Sequence, residues 1–150
     1  MTLAKVQFEP DCWRSCKKGG KQIVLKPDLF IVTQSGDYED YWFFEIDMNT
    51  ETIARVIDKC DRYIHYFRSG IEQKQAIVFP YVVWVVPDAK RKDSVIRHIR
   101  QQYQRGPHLF IPILPDELEA LVASGVAAYL QSQESGISDM KGVPSNDTSR

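Results

Sequence analysis

Three carboxylates, Asp28, Glu45 and Asp47, stand at the margins of two apolar segments in the stretch LKPDLFIVTQSGDYEDYWFFEID, residues 25 to 47. Acids at strand ends do one of two things. They face water where burial stops, or they share a hard divalent cation whose waters can be turned to hydrolysis. Strand side chains alternate faces, so Glu45 and Asp47 point the same way, with Tyr41 and Phe43. A turn symmetric about Asp37 and Tyr38 places position 28 opposite position 47, with Glu45 the diagonal neighbour of Asp28. Like charges facing each other across a hairpin repel unless a cation or a proton intervenes. Mg²⁺, or Mn²⁺ in its place, is the cation such an oxygen set suits. In the alternative reading, Asp28 caps a turn after Pro27, while Glu45 and Asp47 flank a helix N-terminus where negative charge is favoured. Spacing alone leaves both open.

Lys59 bears on the choice. On a helical projection it falls at the flank of an apolar stripe, with Thr52, Tyr63 and Tyr66. From there its ammonium either snorkels to solvent or reaches back over the strand ends, where it can orient a water or stabilise charge developing on a phosphate.

The elements that position these residues are legible in the pattern. QIVLKPDLFIVTQ is β-rich on both sides of Pro27, which reads as a bulge or bend between two short strands. SGDYED is a turn cluster, and YWFFEID a second strand, so the pair forms a hairpin. Upstream, KKGGK is a turn, and part of KVQFEP pairs as an edge strand limited by Pro10. In NTETIARVIDKCDRYIHYFRSG, apolar residues recur at helical spacing, Asn49 or Thr50 serves as N-cap, and Gly70 supplies the stop. AIVFPYVVWVVPD is a strand covered on both faces. A helix over 89 to 104, a short strand HLFIPIL and a helix opened by Pro115 and weakened at Gly125 complete the order. The fold class is α/β or α+β, a mixed sheet containing an antiparallel hairpin and flanked by helices. Residues 1 to 130 form one domain. The Ser-, Gly- and Asn-rich segment 131 to 150 is expected to be a disordered tail.

At 150 residues and 43% hydrophobic, the chain supports one core. Its formal net charge of −1 predicts no obligatory polyanionic partner, so any nucleic-acid contact must come from local clustering. Two basic clusters exist. One runs from Arg14 to Lys26 and includes Lys21 and Lys26. The other opens the helix at 89 with Lys90, Arg91 and Lys92, cations at the end of a helix whose dipole favours anions. The second arrangement is easier to understand if phosphates approach that end. The spacing of Cys12, Cys16 and Cys60 is not that of a zinc site, and no window is long and apolar enough to span a bilayer. A cytoplasmic, reducing setting is the default expectation.

KPD at 26 to 28, a hairpin, EID at 45 to 47 and then a helix resemble the restriction-endonuclease-like superfamily, named for its PD-(D/E)xK motif. More narrowly, KPDLFIV, WFFEIDMNTETIARVIDKCDRYIHYF and FPYVVWVVPDAKR resemble the replication-relaxation family of plasmid and mobile-element proteins. The resemblance covers roughly residues 22 to 114. It implies three antiparallel strands, a helix and a further strand, with Asp28 and Glu45 matching the metal-binding acids. Asp47 occupies the superfamily's usual lysine position, so the lysine role passes to Lys59, with Asp47 an additional metal ligand. The winged-helix domain that often precedes this core in the narrower family has no counterpart in the short N-terminal stretch, which leaves nucleic-acid contact to the core's basic segments. The implied function is a Mg²⁺-dependent nuclease-like domain acting on DNA, alongside replication or mobilisation proteins. Its rival is a catalytically silent accessory module of the same fold that binds DNA or a protein.

Overall fold

The structure is a computed structural model and describes residues 1–140. The chain divides into two units, the first spanning Met1–Leu118 and the second starting at Glu119. The first unit is built on a five-stranded mixed sheet in the order β1-β4-β5-β6-β7, where β1 is Thr2–Phe8, β4 Leu29–Ser35, β5 Tyr38–Ile46, β6 Tyr81–Val85 and β7 Phe110–Ile113. Strand β4 pairs antiparallel with both β1 and β5, whereas β6 joins β5 and β7 joins β6 in parallel. The parallel pairings require crossovers, supplied by helices. These are α1, Ile53–Ser69, with the short α2, Ile71–Ala76, between β5 and β6, and α3, Ala89–Gln102, between β6 and β7.

The β4–β5 hairpin turns on Gly36 and Asp37, with Ser35 paired to Tyr38. Gly36 has φ 59°, a left-handed value that a two-residue hairpin turn demands and glycine supplies without strain. The turn centre therefore sits one residue earlier than the expected Asp37–Tyr38, and every cross-strand partner moves by two. Leu29 pairs with Phe44. Continued by one residue, this register sets Asp28 across from Glu45 instead of Asp47.

Pro27 separates strands belonging to different sheets. β3, Lys21–Leu25, pairs with β2, Arg14–Lys18, in a two-stranded ribbon closed by Gly19 and Gly20. A proline has no N–H to give a ladder, so the chain leaves one sheet there and enters the other. The ribbon is anchored by buried Cys16 and Leu25 and by Arg14, whose guanidinium lies 4.9 Å from the Phe30 ring centroid and 5.5 Å from that of Phe43. Arg14 Nε donates to Glu72 Oε2 at 3.0 Å, and the Tyr66 hydroxyl donates to the same oxygen.

One face of β5 meets α1. Phe43 packs on Tyr63 with ring centroids 5.8 Å apart, within a core that includes Phe30, Val56, Cys60, Val82 and Trp84. The N-cap of α1 is Thr52, whose Oγ1 accepts from the Arg55 N–H at 3.3 Å. This corrects the expected cap at Asn49 or Thr50. Asn49 has φ 59° and gives its N–H to Asp47 Oδ1 at 2.8 Å, which keeps it in the preceding loop. Gly70, at φ 71°, ends α1 as its pattern predicts.

The second unit holds most of α4, Leu118–Ser124, and α5, Val126–Met140. Gly125, at φ 79°, breaks what the sequence reads as one weakened helix. Because α5 extends past Gln131 to Met140, the first half of the expected tail is helical, carried on from Ala127, Ala128 and Leu130. Residues 141–150 of that expectation lie outside the described residues. No helix of the described residues is long and apolar enough to cross a membrane.

Candidate functional site

The ends of β5 and β6 and the first turns of α1 and α3 bring the candidate residues together. Asp28 is clamped across β5: its N–H donates to Phe44 O at 2.9 Å, and its Oδ2 accepts from the Ile46 N–H at 2.7 Å. Glu45 follows Phe44 on β5 and is only 3% exposed. Its Oε1 accepts from the Tyr63 hydroxyl at 2.7 Å, and its Oε2 lies 3.7 Å from Lys59 Nζ. Helix α1 delivers both partners because Lys59 and Tyr63 are one turn apart on the same flank.

Burial pushes the Glu45 carboxyl up to about 7. The Tyr63 hydroxyl and the Lys59 ammonium pull it down, while the negative charges of Asp28 and Glu51 push it up again. For Lys59, partial burial works against the charged form, but the carboxylates of Glu51, Glu45 and Asp28 outweigh it and leave the ammonium harder to deprotonate. Glu51 is its nearest acid, with Oε1 2.9 Å from Nζ. Lys59 also lies 5.9 Å from the centroid of the Trp84 ring, which is core, as its run predicts.

Asp47 does not join this cluster as an open ligand. Its side chain is fully buried; Arg91 Nε donates to Oδ2 at 2.6 Å, and the Asn49 N–H takes Oδ1. Arg91 also donates to Glu51 O at 2.8 Å, tying the start of α3 to the loop before α1. Among the described residues, no group of three or more His, Cys, Asp or Glu side chains is arranged to hold a metal ion. Of the three expected acids, Asp28 and Glu45 lie across from each other, while Asp47 is engaged by the Arg91 guanidinium and the Asn49 N–H.

The basic cluster at the start of α3 meets acids of the same chain. Arg91 is spent on Asp47, and Lys92 Nζ donates to both oxygens of Glu117, at 2.6 and 2.9 Å. Only Lys90 of the three is exposed, and Arg91 and Lys92 are accounted for by the acids they meet. Lys21 lies exposed at the tip of the β2–β3 ribbon, and Lys26 sits 4.6 Å over the Trp13 ring.

Two contributors lie outside the acid–lysine pattern. Tyr63 carries a signal, since it shares the flank of Lys59. Glu51 precedes the helix, where no period links it to Lys59. Cys12, Cys16 and Cys60 are free and buried. Burial pushes the Cys60 thiol up, reinforced by Glu45 and Asp61, so it is not poised as a nucleophile.

No curated protein and no solved structure matches the chain. The family model described as replication-relaxation matches residues 2–82, from β1 through the first residues of β6, and so takes in Asp28, Glu45, Glu51, Lys59 and Tyr63. A match over more than half of the 150 residues makes this chain a member of the replication-relaxation family.

Proposed function

We propose that this chain is a metal-dependent, nuclease-like domain acting on DNA, with a restriction-endonuclease-like PD-(D/E)xK arrangement in which Asp28 and Glu45 hold Mg²⁺ or Mn²⁺. Family membership suggests the setting, plasmid or mobile-element replication. The observation that carries the reading is the register of the β4–β5 hairpin, which sets Asp28 across from Glu45, combined with Lys59 Nζ 3.7 Å from Glu45 Oε2. Two acids on neighbouring strands and a lysine from the next helix are the components the resemblance calls for. The order of three antiparallel strands, a helix and a further parallel strand also supports it.

The donor set fits a hard cation. Both ligands are carboxylates, and Mg²⁺ is commonly held by one or two of them with waters completing its shell. The cation would supply charge at the scissile phosphate and activate water for hydrolysis. Around it, Tyr63 fixes the orientation of Glu45 through Oε1. Lys59 presents a protonated ammonium able to orient the nucleophile or stabilise charge developing on the phosphate. Glu51 keeps that ammonium charged and in place, and Arg91 holds the Glu51 backbone.

A second reading, a catalytically silent module of the same fold, draws on a different observation. Lys59 lies closer to Glu51, at 2.9 Å, than to Glu45, and a Glu45 carboxyl near 7 is partly protonated at neutral pH. Such a cluster satisfies itself without a cation. The two readings separate when the protein is assayed with Mg²⁺ or Mn²⁺ on plasmid and branched DNA beside Asp28→Ala and Glu45→Ala. Metal-dependent cleavage lost in both variants supports the first. DNA binding without cleavage favours the second.

A further inference from the structure

With Arg91 and Lys92 paired internally, the exposed lysines of the β2–β3 ribbon are left to meet a polyanion. The register pairs Lys18 with Lys21 and Lys17 with Gln22 around the Gly19–Gly20 tip. Buried Cys16 shows which face of the ribbon turns to the core; by alternation, Lys18 and its partner Lys21 share that face and Lys17 projects from the other. Lys18 Nζ lies 2.7 Å from His65 Nε2 on α1. Among the described residues, Lys17 and Lys21 meet no hydrogen-bonding or ion-pair partner, and no acid lies between Arg14 and Lys26.

A solvated hairpin explains one exposed lysine. It does not need two directly across from each other, an arrangement that repels unless an anion approaches. The stem is fixed by Arg14 on Glu72 and by Arg14 Nη2 on Gln7 Oε1 at 3.0 Å. Gly19 and Gly20 have φ of 55° and 79°, and open space surrounds the Cβ each lacks, leaving their backbone accessible. A bare Gly19–Gly20 tip flanked by the exposed Lys17 and Lys21 has the charge to lie against a phosphate backbone.

We propose that the tip of the β2–β3 ribbon is a DNA contact, laid against the backbone of duplex DNA with Lys17 and Lys21 on its phosphates. The proposal rests on the reading above only in taking DNA as the partner. It also fits the geometry of a shared substrate. Seven residues separate Lys21 from Asp28, so the ribbon tip and the acids are at most about 23 Å apart at roughly 3.3 Å per residue. That is about seven base pairs at 3.4 Å each, within one turn of the same duplex.

The test is fluorescence anisotropy of a labelled duplex with the full chain in EDTA, over a salt series, for wild type, Lys17→Ala/Lys21→Ala and Arg97→Ala/Arg100→Ala, the last pair being exposed on α3. EDTA keeps the result independent of the metal site, so failure of the nuclease reading and failure of this proposal are separate events. The expected result is that the ribbon variant loses roughly tenfold in affinity and that its log–log salt slope falls by about 2, while the α3 variant stays within about twofold of wild type. Wild-type affinity in the ribbon variant overturns the proposal. So does a loss confined to the α3 variant, absence of duplex binding by wild type, or binding to phosphatidylserine vesicles in place of the duplex.

Discussion

Glu45 is a carboxyl held almost wholly out of water. Burial raises its carboxyl from 4.5 to about 7, so between those values the folded state binds a proton that the unfolded chain has released. Its contribution to stability is greatest below about pH 4.5, falls as pH rises and levels off above about pH 7. The loss is on the order of 3 kcal/mol. Urea midpoints followed from pH 4.5 to 7.5 are expected to show this decline in the wild type and not in Glu45→Gln. The same shift means that Glu45 must ionise before it can hold a cation, so metal affinity is expected to rise steeply as pH passes through 7. Tyr63→Phe removes the hydroxyl that favours the charged form. It should move the ionisation higher still and cost about 1–3 kcal/mol at pH 8 for the carboxylate oxygen left without its donor. An unchanged pH profile in Tyr63→Phe contradicts the assigned role.

At the scale of elements, the ribbon, α1 and α2 are joined by one buried polar cluster of Arg14, Tyr66 and Glu72. Glu72 is 3% exposed, and its partner comes from a strand 58 residues away in sequence. Removing one member of a buried pair strands the other, so Arg14→Ala is expected to cost about 3–5 kcal/mol, read as a lowered denaturant midpoint. A change below about 1 kcal/mol would mean that water reaches Glu72 and the ribbon is loosely held. Gly70 offers a contrasting case. Its φ is 71°, yet a Cβ there meets nothing within 4 Å. Gly70→Ala should therefore carry only the conformational penalty of the left-handed region, roughly 1–2 kcal/mol. A larger loss would show that α1 ends against something other than open space. These elements were well marked in the chain: Gly70 as a stop, KKGGK as a turn, and the helical spacing of Val56, Cys60 and Ile64. The turn at Gly36 was the costly ambiguity. SGDYED contains several turn formers, and only the positive φ of Gly36 decides which pair is central.

At the scale of the whole molecule, the net charge of −1 leaves binding to local features, and the fold distributes them in a way the chain order conceals. Asp28, Glu45 and Lys59 could be anticipated because a hairpin and the helix after it are local in sequence. The fate of Asp47, Arg91 and Lys92 could not, since their partners lie 44 and 25 residues away and are brought in by parallel crossovers. A cluster of like charges in sequence says nothing of the opposite charges that folding sets beside it. The mixed sheet was legible for a related reason: alternation and a doubly apolar strand are local properties, whereas membership of β3 and β4 in different sheets is not. The central claim, that Asp28 and Glu45 form a two-carboxylate cation site, is tested most directly by titrating Mn²⁺ into the 150-residue chain at pH 8 and following bound ion by electron paramagnetic resonance. One saturable site, lost in Asp28→Asn and in Glu45→Gln but retained in Asp47→Asn, is the predicted result. Absence of saturable binding, or binding that survives both substitutions, contradicts it.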